Sequence, residues 1–326
     1  MTTGSTTQTA APPPPVRRTL RGRLVPEAMY PAGDSAVTTR FVALPSGVRV
    51  RVLECGVPTG PAVFLLHGWC CSAYTFRRNL CALTDAGCRV VLADLKGHGL
   101  SDKPQGPGEY TMDRMADHVV EIMDAAGLAR AALVGHSMGC AIAVRVALRH
   151  PARVNRLVLL APTGFGAISA LSIAQALTPR FVTPVLPLLV RRWMIGGVLR
   201  LAYAWDSRLT ARDVDEYFAP TQFPEFVFAM RDLLHEFQWA PGERAELERL
   251  AVPTLVMFGT RDRLVYNRSV EAMVRAIPDV VLDVVDGAGH VLPEEVPERV
   301  NARLAEFVGR AVDDRHDCVA AGVTTG

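Results

Sequence analysis

The sequence predicts an α/β protein: a mostly parallel, doubly wound sheet with an α-helical cap inserted into its connectivity. Three observations carry that reading. Short, continuously apolar runs recur along the chain, helical spacing fills the intervals between them, and the alternation stops after Leu160 and resumes at Thr254. Runs that are apolar at every position suit strands buried on both faces, as in a parallel sheet covered by helices. Strand alternating with helix then gives the α/β class.

The expected strands are Val48–Glu54, Ala62–Leu66, Arg89–Asp94, Ala131–Gly135, Arg156–Leu160, Thr254–Phe258 and Val281–Val285. The expected helices are Tyr74–Ala86, Asp113–Ala126, Met138–His150, Ser269–Ile277 and Val296–Val312. From Ala161 to about Leu250 there is no strand pattern, only helix-like pieces separated by Pro179, Pro184, Pro187, Pro220 and Pro224. The organisation expected is a disordered N-terminal arm (1–35), a core (36–162 and 251–312), a helical cap (163–250) and a flexible tail (313–326).

Composition narrows the function. With 49% hydrophobic and 21% charged residues the 326-residue chain has material for a core, and a net charge of +2 argues against nucleic acid as the partner. The arm MTTGSTTQTAAPPPPV has no apolar run, and no hydrophobic segment follows Arg17 and Arg18, so no export signal is expected. The longest apolar stretch, Phe181–Val190, holds two prolines and falls short of the roughly 20 residues of a membrane span. A cytoplasmic protein without integral membrane association is expected. Seven scattered cysteines, an odd number without a C-x-x-C pair, read as reduced thiols, and no spacing suggests a metal site.

Gly135-His136-Ser137-Met138-Gly139 lies where a strand gives way to a helix, the context a G-x-S-x-G match requires. Small neighbours make room for the sharp turn, and the helix N-terminus favours developing negative charge. The bland alternative is that Ser137 is simply an N-cap. A serine nucleophile needs a base, and the base needs a group to orient it. His290, in the glycine-rich loop after VLDVV, and Asp262, in the loop after TLVMF, both lie beyond strand C-termini, where open α/β sheets place their sites. Asp286 competes for the role of acid but is very close to His290 in sequence.

Together these residues make the chain resemble the α/β-hydrolases that carry a helical cap. Ser137, Asp262 and His290 follow that family's order of nucleophile, acid and base. His67-Gly68-Trp69 is similar to its oxyanion loop, so the resemblance implies Trp69 and Met138 as amide donors, with His67 and Gly68 as scaffold beside the elbow glycines Gly135 and Gly139. Asp94-Leu95-Lys96-Gly97-His98-Gly99-Leu100-Ser101 resembles a structural loop of the family. The implied activity is cofactor-free hydrolysis of a small to medium, apolar carboxylic ester. Ser137 separates the chain from relatives that open epoxides or displace halide with Asp, and Val291 stands where carbon–carbon hydrolases commonly carry Trp. Perhydrolase (cofactor-free haloperoxidase-like), lactonase, thioesterase and carbon–carbon hydrolase activities, and a receptor-like binding role, remain alternatives. The apolar side chains of the cap are divided between its own core and a substrate pocket, and its acids Asp206, Asp213, Asp215 and Glu216 are expected on a solvated face or at helix starts.

Overall fold

An eight-stranded sheet in the order β1-β2-β4-β3-β5-β6-β7-β8 organises the chain. The computed structural model describes residues 18–165, 169–205, 208–240 and 242–320. Strands β1 (Thr38–Ala43) and β2 (Arg49–Gly56) form a hairpin, and β2 also pairs antiparallel with β4 (Arg89–Ala93). Every other pairing, through β3 (Ala62–Leu66), β5 (Ala131–His136), β6 (Val154–Leu160), β7 (Thr254–Gly259) and β8 (Val280–Val285), is parallel. Strands β5 and β7 are buried at every position, which is why they read as unbroken apolar runs.

Strand β1 has no counterpart among the expected strands. Its residues TTRFVA are almost all exposed at the sheet edge, so no burial pattern marked them. The helices flanking the sheet fall near their expected places: α1 (Leu80–Asp85), α2 (Met112–Ala125) and α3 (Met138–Arg149). The first expected helix is split, with a 3₁₀ turn at Ala73–Phe76 before α1. Helix α2 buries Met112, Met115, Ala116, Val119, Ile122 and Met123, the i, i+3, i+4 stripe of an amphipathic helix. Helix α3 stops before His150-Pro151, because the residue preceding a proline is disfavoured in the helical region.

The cap lies between β6 and β7. It comprises α4 (Ser169–Leu177), a 3₁₀ segment (Arg180–Val185), α5 (Leu186–Leu189), α6 (Arg192–Ala202), α7 (Ala211–Phe218), α8 (Pro224–Glu236) and α9 (Arg244–Leu247). The chain then returns to the core with α10 (Asn267–Val274), α11 (Leu292–Glu295) and α12 (Pro297–Ala320). No single helix among the described residues is long and apolar enough to cross a membrane.

The chain ends differ from expectation. Residues 1–17 and 321–326 lie outside the described residues, but residues 18–35 are ordered against the cap, and α12 continues beyond residue 312 to Ala320. Leu24 and Met29 are buried against Ala219, Arg23 donates to the Thr221 hydroxyl at 2.9 Å, and the Tyr30 amide donates to Glu216 at 2.9 Å. This polar, proline-containing stretch is ordered by two isolated apolar anchors, which leave no periodic signal.

Candidate active site

The strand order reverses beside β3: the chain crosses from β4 over β3 to reach β5, leaving a crevice at the C-terminal ends of β3 and β5. Ser137 stands there alone between β5 and α3, with φ 52° and ψ −116°. Such a conformation costs a residue with a Cβ on the order of 1–3 kcal/mol, so its surroundings must enforce it. The Ser137 amide donates to the Leu160 carbonyl at 3.0 Å, and the Cys140 amide donates to the Ser137 carbonyl at 2.9 Å. A Cβ on Gly135 would come 2.5 Å from the Gly139 carbonyl, and one on Gly139 would overlap the Leu66 carbonyl. The Ser137 side chain makes no capping bond to α3, contrary to the bland alternative.

Its hydroxyl instead meets His290. The Nε2 of His290 is 2.9 Å from Ser137 Oγ, and its Nδ1 is 2.7 Å from Asp262 Oδ2. The other Asp262 oxygen accepts from the amides of Leu264 at 2.8 Å and Val265 at 3.0 Å. Burial works to raise the Asp262 pKa, but the His290 ring and these two amides outweigh it and hold the carboxyl below the ordinary range. Asp286 accepts from the Thr260 hydroxyl at 3.0 Å and makes no hydrogen bond to His290. The His290 backbone is clamped as well: its amide donates to the Ala202 carbonyl at 2.8 Å, and its carbonyl lies 3.0 Å from His136 Nε2. Burial, followed by the neighbouring His290, pushes His136 down to about 3, so at neutral pH it serves as an uncharged donor.

The loop after β3 lies against the elbow. A Cβ on Gly68 would come 3.1 Å from the His136 ring and 3.2 Å from Ser137 Cβ, so a larger residue there would have to displace the elbow side chains slightly. His67 accepts from the Leu95 amide at 3.0 Å through Nε2, which leaves Nδ1–H to donate to the Gly68 carbonyl at 2.8 Å. Both nitrogens are thus occupied by backbone. Neither the Trp69 nor the Met138 amide donates to a protein acceptor among the described residues, so both are available to an anion. Asp94 is fixed by Arg51 at 2.7 Å and by the amides of Ala73 and Leu100, which gives the GHG loop a structural role. Among the described residues no group of His, Cys, Asp and Glu is placed to hold a metal ion. Cys70 and Cys71 are free thiols, and burial pushes Cys71 up to about 12.

A buried polar cluster that no sequence motif marks joins the cap to this site. Glu294 is fully buried and accepts from Arg77, Tyr217 and, at 2.9 Å, Tyr203. Arg77 also pairs with Asp213 at 2.6 Å. Burial raises the Glu294 pKa even though Arg77 and the phenols pull it down. Glu295 accepts from the amides of Gly289, Ala204 and Trp205, tying the end of α6 to the His290 loop. The solvated face expected for the cap acids is therefore corrected: Asp213, Asp215 and Glu216 are buried and paired with arginines, Asp213 as part of a capping box with Thr210. Asp206 lies outside the described residues. Local forewarning was confined to the Thr210-x-x-Asp213 cap and to Arg212, four residues before Glu216; Arg77 and Arg192 come from elsewhere in the chain.

Comparison with known proteins agrees with this architecture. The chain is 28% identical to Epoxide hydrolase A of Mycobacterium tuberculosis (strain ATCC 25618 / H37Rv), over 84% of this chain and 98% of that protein. Its structure is similar to the meta-cleavage product hydrolase of Pseudomonas fluorescens IP01, with a TM-score of 0.72 and 25% identity over 83% of this chain and 98% of that one. It is also similar to a membrane phospholipase A described as a bacterial virulence factor, with a TM-score of 0.70 and 26% identity over 84% and 86% of the two chains. Residues 61–297 match the sequence profile of the family described as alpha/beta hydrolase fold, and the chain belongs to that family.

Proposed function

We propose that the protein is a serine hydrolase that cleaves carboxylic esters through an acyl-enzyme. The carrying observation is the position of His290, 2.9 Å from the Ser137 hydroxyl and 2.7 Å from the Asp262 carboxylate. His290 takes the Ser137 proton as Oγ attacks the ester carbonyl, and the Trp69 and Met138 amides stabilise the oxyanion. Collapse expels the alcohol with a proton from His290. Water, deprotonated by the same ring, then attacks the acyl-enzyme; the carboxylic acid leaves and Ser137 regains its proton. Asp262, kept ionised by its bonds, orients the ring and stabilises the imidazolium.

The chemistry of Ser137 favours acyl transfer over the reaction named for the epoxide relative. A serine that opened an epoxide would form an ether, which has no carbonyl for water to attack, whereas an acyl-serine ester turns over. Beside the Gly68-Trp69 loop, the edge-to-face rings of Trp69, Trp239 and Phe237 form an aromatic wall suited to an apolar group, with Trp69 and Trp239 centroids 5.7 Å apart. Carbon–carbon hydrolysis is the second reading, supported by the similarity to the meta-cleavage product hydrolase.

Covalent labelling by a fluorophosphonate tests the nucleophile. Wild type is expected to label and Ser137→Ala to resist, and an inert wild type would overturn the assignment. On p-nitrophenyl esters, Ser137→Ala should lose roughly 10⁶-fold in kcat. A preference for acetate over octanoate would remove the apolar-substrate reading, and turnover of a ring-fission dienoate without ester turnover would select the second.

A further inference from the structure

Eleven of the eighteen exposed large apolar side chains among the described residues fall between Ile173 and Trp205. Trp193 is 74% exposed and Phe181 83%, values that leave these rings almost wholly in water. Helix α6 is apolar on two sides. Gly196, Leu199 and Ala202 are buried, and Leu199 and Ala202 pack with Val214 of α7, while Trp193, Val198 and Leu201 face outward. A helix that is hydrophobic all round ordinarily has both sides covered, and concentrated exposure of this kind marks an interaction surface.

Charge indicates what covers it. From Ala161 to Trp205 the sequence contains four arginines and no aspartate or glutamate. Arg192 is committed to Asp215, but Arg180, Arg191 and Arg200 have no carboxylate partner among the described residues. An apolar face with Trp and an arginine rim matches the acyl–headgroup boundary of an anionic bilayer, where arginine stems lie along the apolar layer and guanidinium groups reach phosphates. A two-fold contact with a second copy would instead set the same arginines near one another. Residues 1–17 contain no run of large apolar residues to serve as an internal cover. A transmembrane arrangement is disfavoured as well. The segments Arg180–Leu189 and Arg192–Ala202 bend by 102° at their junction, and the end of α6 is held to the core through Ala202 and His290.

We propose that the cap face built from α4, the Arg180–Leu189 segment and α6 docks peripherally on an anionic lipid surface, with Trp193, Val198 and Phe181 inserted at the boundary and Arg180, Arg191 and Arg200 on lipid phosphates. The docking does not depend on the hydrolase reading. The opposite, buried side of α6 reaches the candidate active site through the bond from the His290 amide to the Ala202 carbonyl.

The 326-residue chain is mixed with vesicles of phosphatidylcholine alone or of equal parts phosphatidylcholine and phosphatidylglycerol, sedimented, and followed by tryptophan emission. Binding to the anionic vesicles, weakened by salt and accompanied by a blue shift, is expected. Arg180→Gln and Arg200→Gln should each weaken it about fivefold. Trp193→Ser combined with Val198→Ser should abolish it while leaving turnover of a water-soluble ester within about twofold, the range of a neutral surface change. Absence of wild-type binding, equal binding by the double serine variant, or a dimer that dissociates in that variant would each overturn the proposal. Because vesicle binding is read without catalysis, its failure is distinguishable from failure of the esterase reading.

Discussion

The sheet rim and the cap bury polar and apolar groups in opposite ways. At the rim, strands such as β5 and β7 are covered on both sides, and the polar groups that break the pattern sit in loops directly after strand ends, satisfied by nearby backbone or by one another. In the cap, large apolar side chains face outward, while carboxylates face inward onto arginines far away in sequence. One region is held by continuous packing; the other adds, to the packing of α8 and of Leu199, Ala202 and Val214, a set of ion pairs whose carboxylates are buried. The lesson is that apolar composition alone does not identify a core. What the covering elements offer decides it.

Four measurements test this contrast. Asp262→Asn keeps the side-chain size but removes the charge proposed to orient His290, and should lower kcat on a p-nitrophenyl ester about 10⁴-fold in a protein that still folds cooperatively. A fall of less than about tenfold would mean the carboxylate does not act through the ring. Gly139→Ala should destabilise by about 3 kcal/mol or more in urea unfolding, because its Cβ meets the Leu66 backbone, which cannot yield as a side chain does. Acid should weaken the core first. Burial, assisted by the Lys96 charge, holds His118 at about 3, and burial with the nearby His290 charge does the same for His136. Both bind fewer protons when folded than when unfolded below pH about 6.5, so stability is lost as pH falls from there towards 3. His118→Gln, whose side-chain carbonyl can still accept the Lys96 amide, should flatten that slope by up to about 1.4 kcal/mol per pH unit. The smallest effect belongs to the cap: Gly197→Ala meets nothing within 4 Å and should be neutral or stabilise by up to about 1 kcal/mol. Equal losses for the two glycine substitutions would erase the contrast.

What could be read from the sequence follows the same division. Strands β3 to β7 were legible because burial on both faces leaves only apolar letters, and Ser137 and Asp262 because each follows such a strand; His290 follows β8, which is apolar in sequence although largely exposed at the sheet edge. Strand β1 was not, since an exposed edge strand carries mixed residues. Nor were Glu294 and Glu295, whose place is set by Arg77, Tyr203, Tyr217 and backbone amides that only the folded chain brings near. The inward turn of Asp215 and Glu216 depends in the same way on Arg18, Arg192 and Arg212, and the order of residues 18–35 on contacts with α7 and the turn that follows it.

The bond from the His290 amide to the Ala202 carbonyl, with Glu295 holding residues 204 and 205 nearby, makes one end of the cap a fixed pivot. Any rocking of the helices about that point is transmitted to the imidazole that must stay aligned with Ser137. Load on the cap would therefore be felt at the candidate catalytic imidazole through this bond and the Glu295 contacts together.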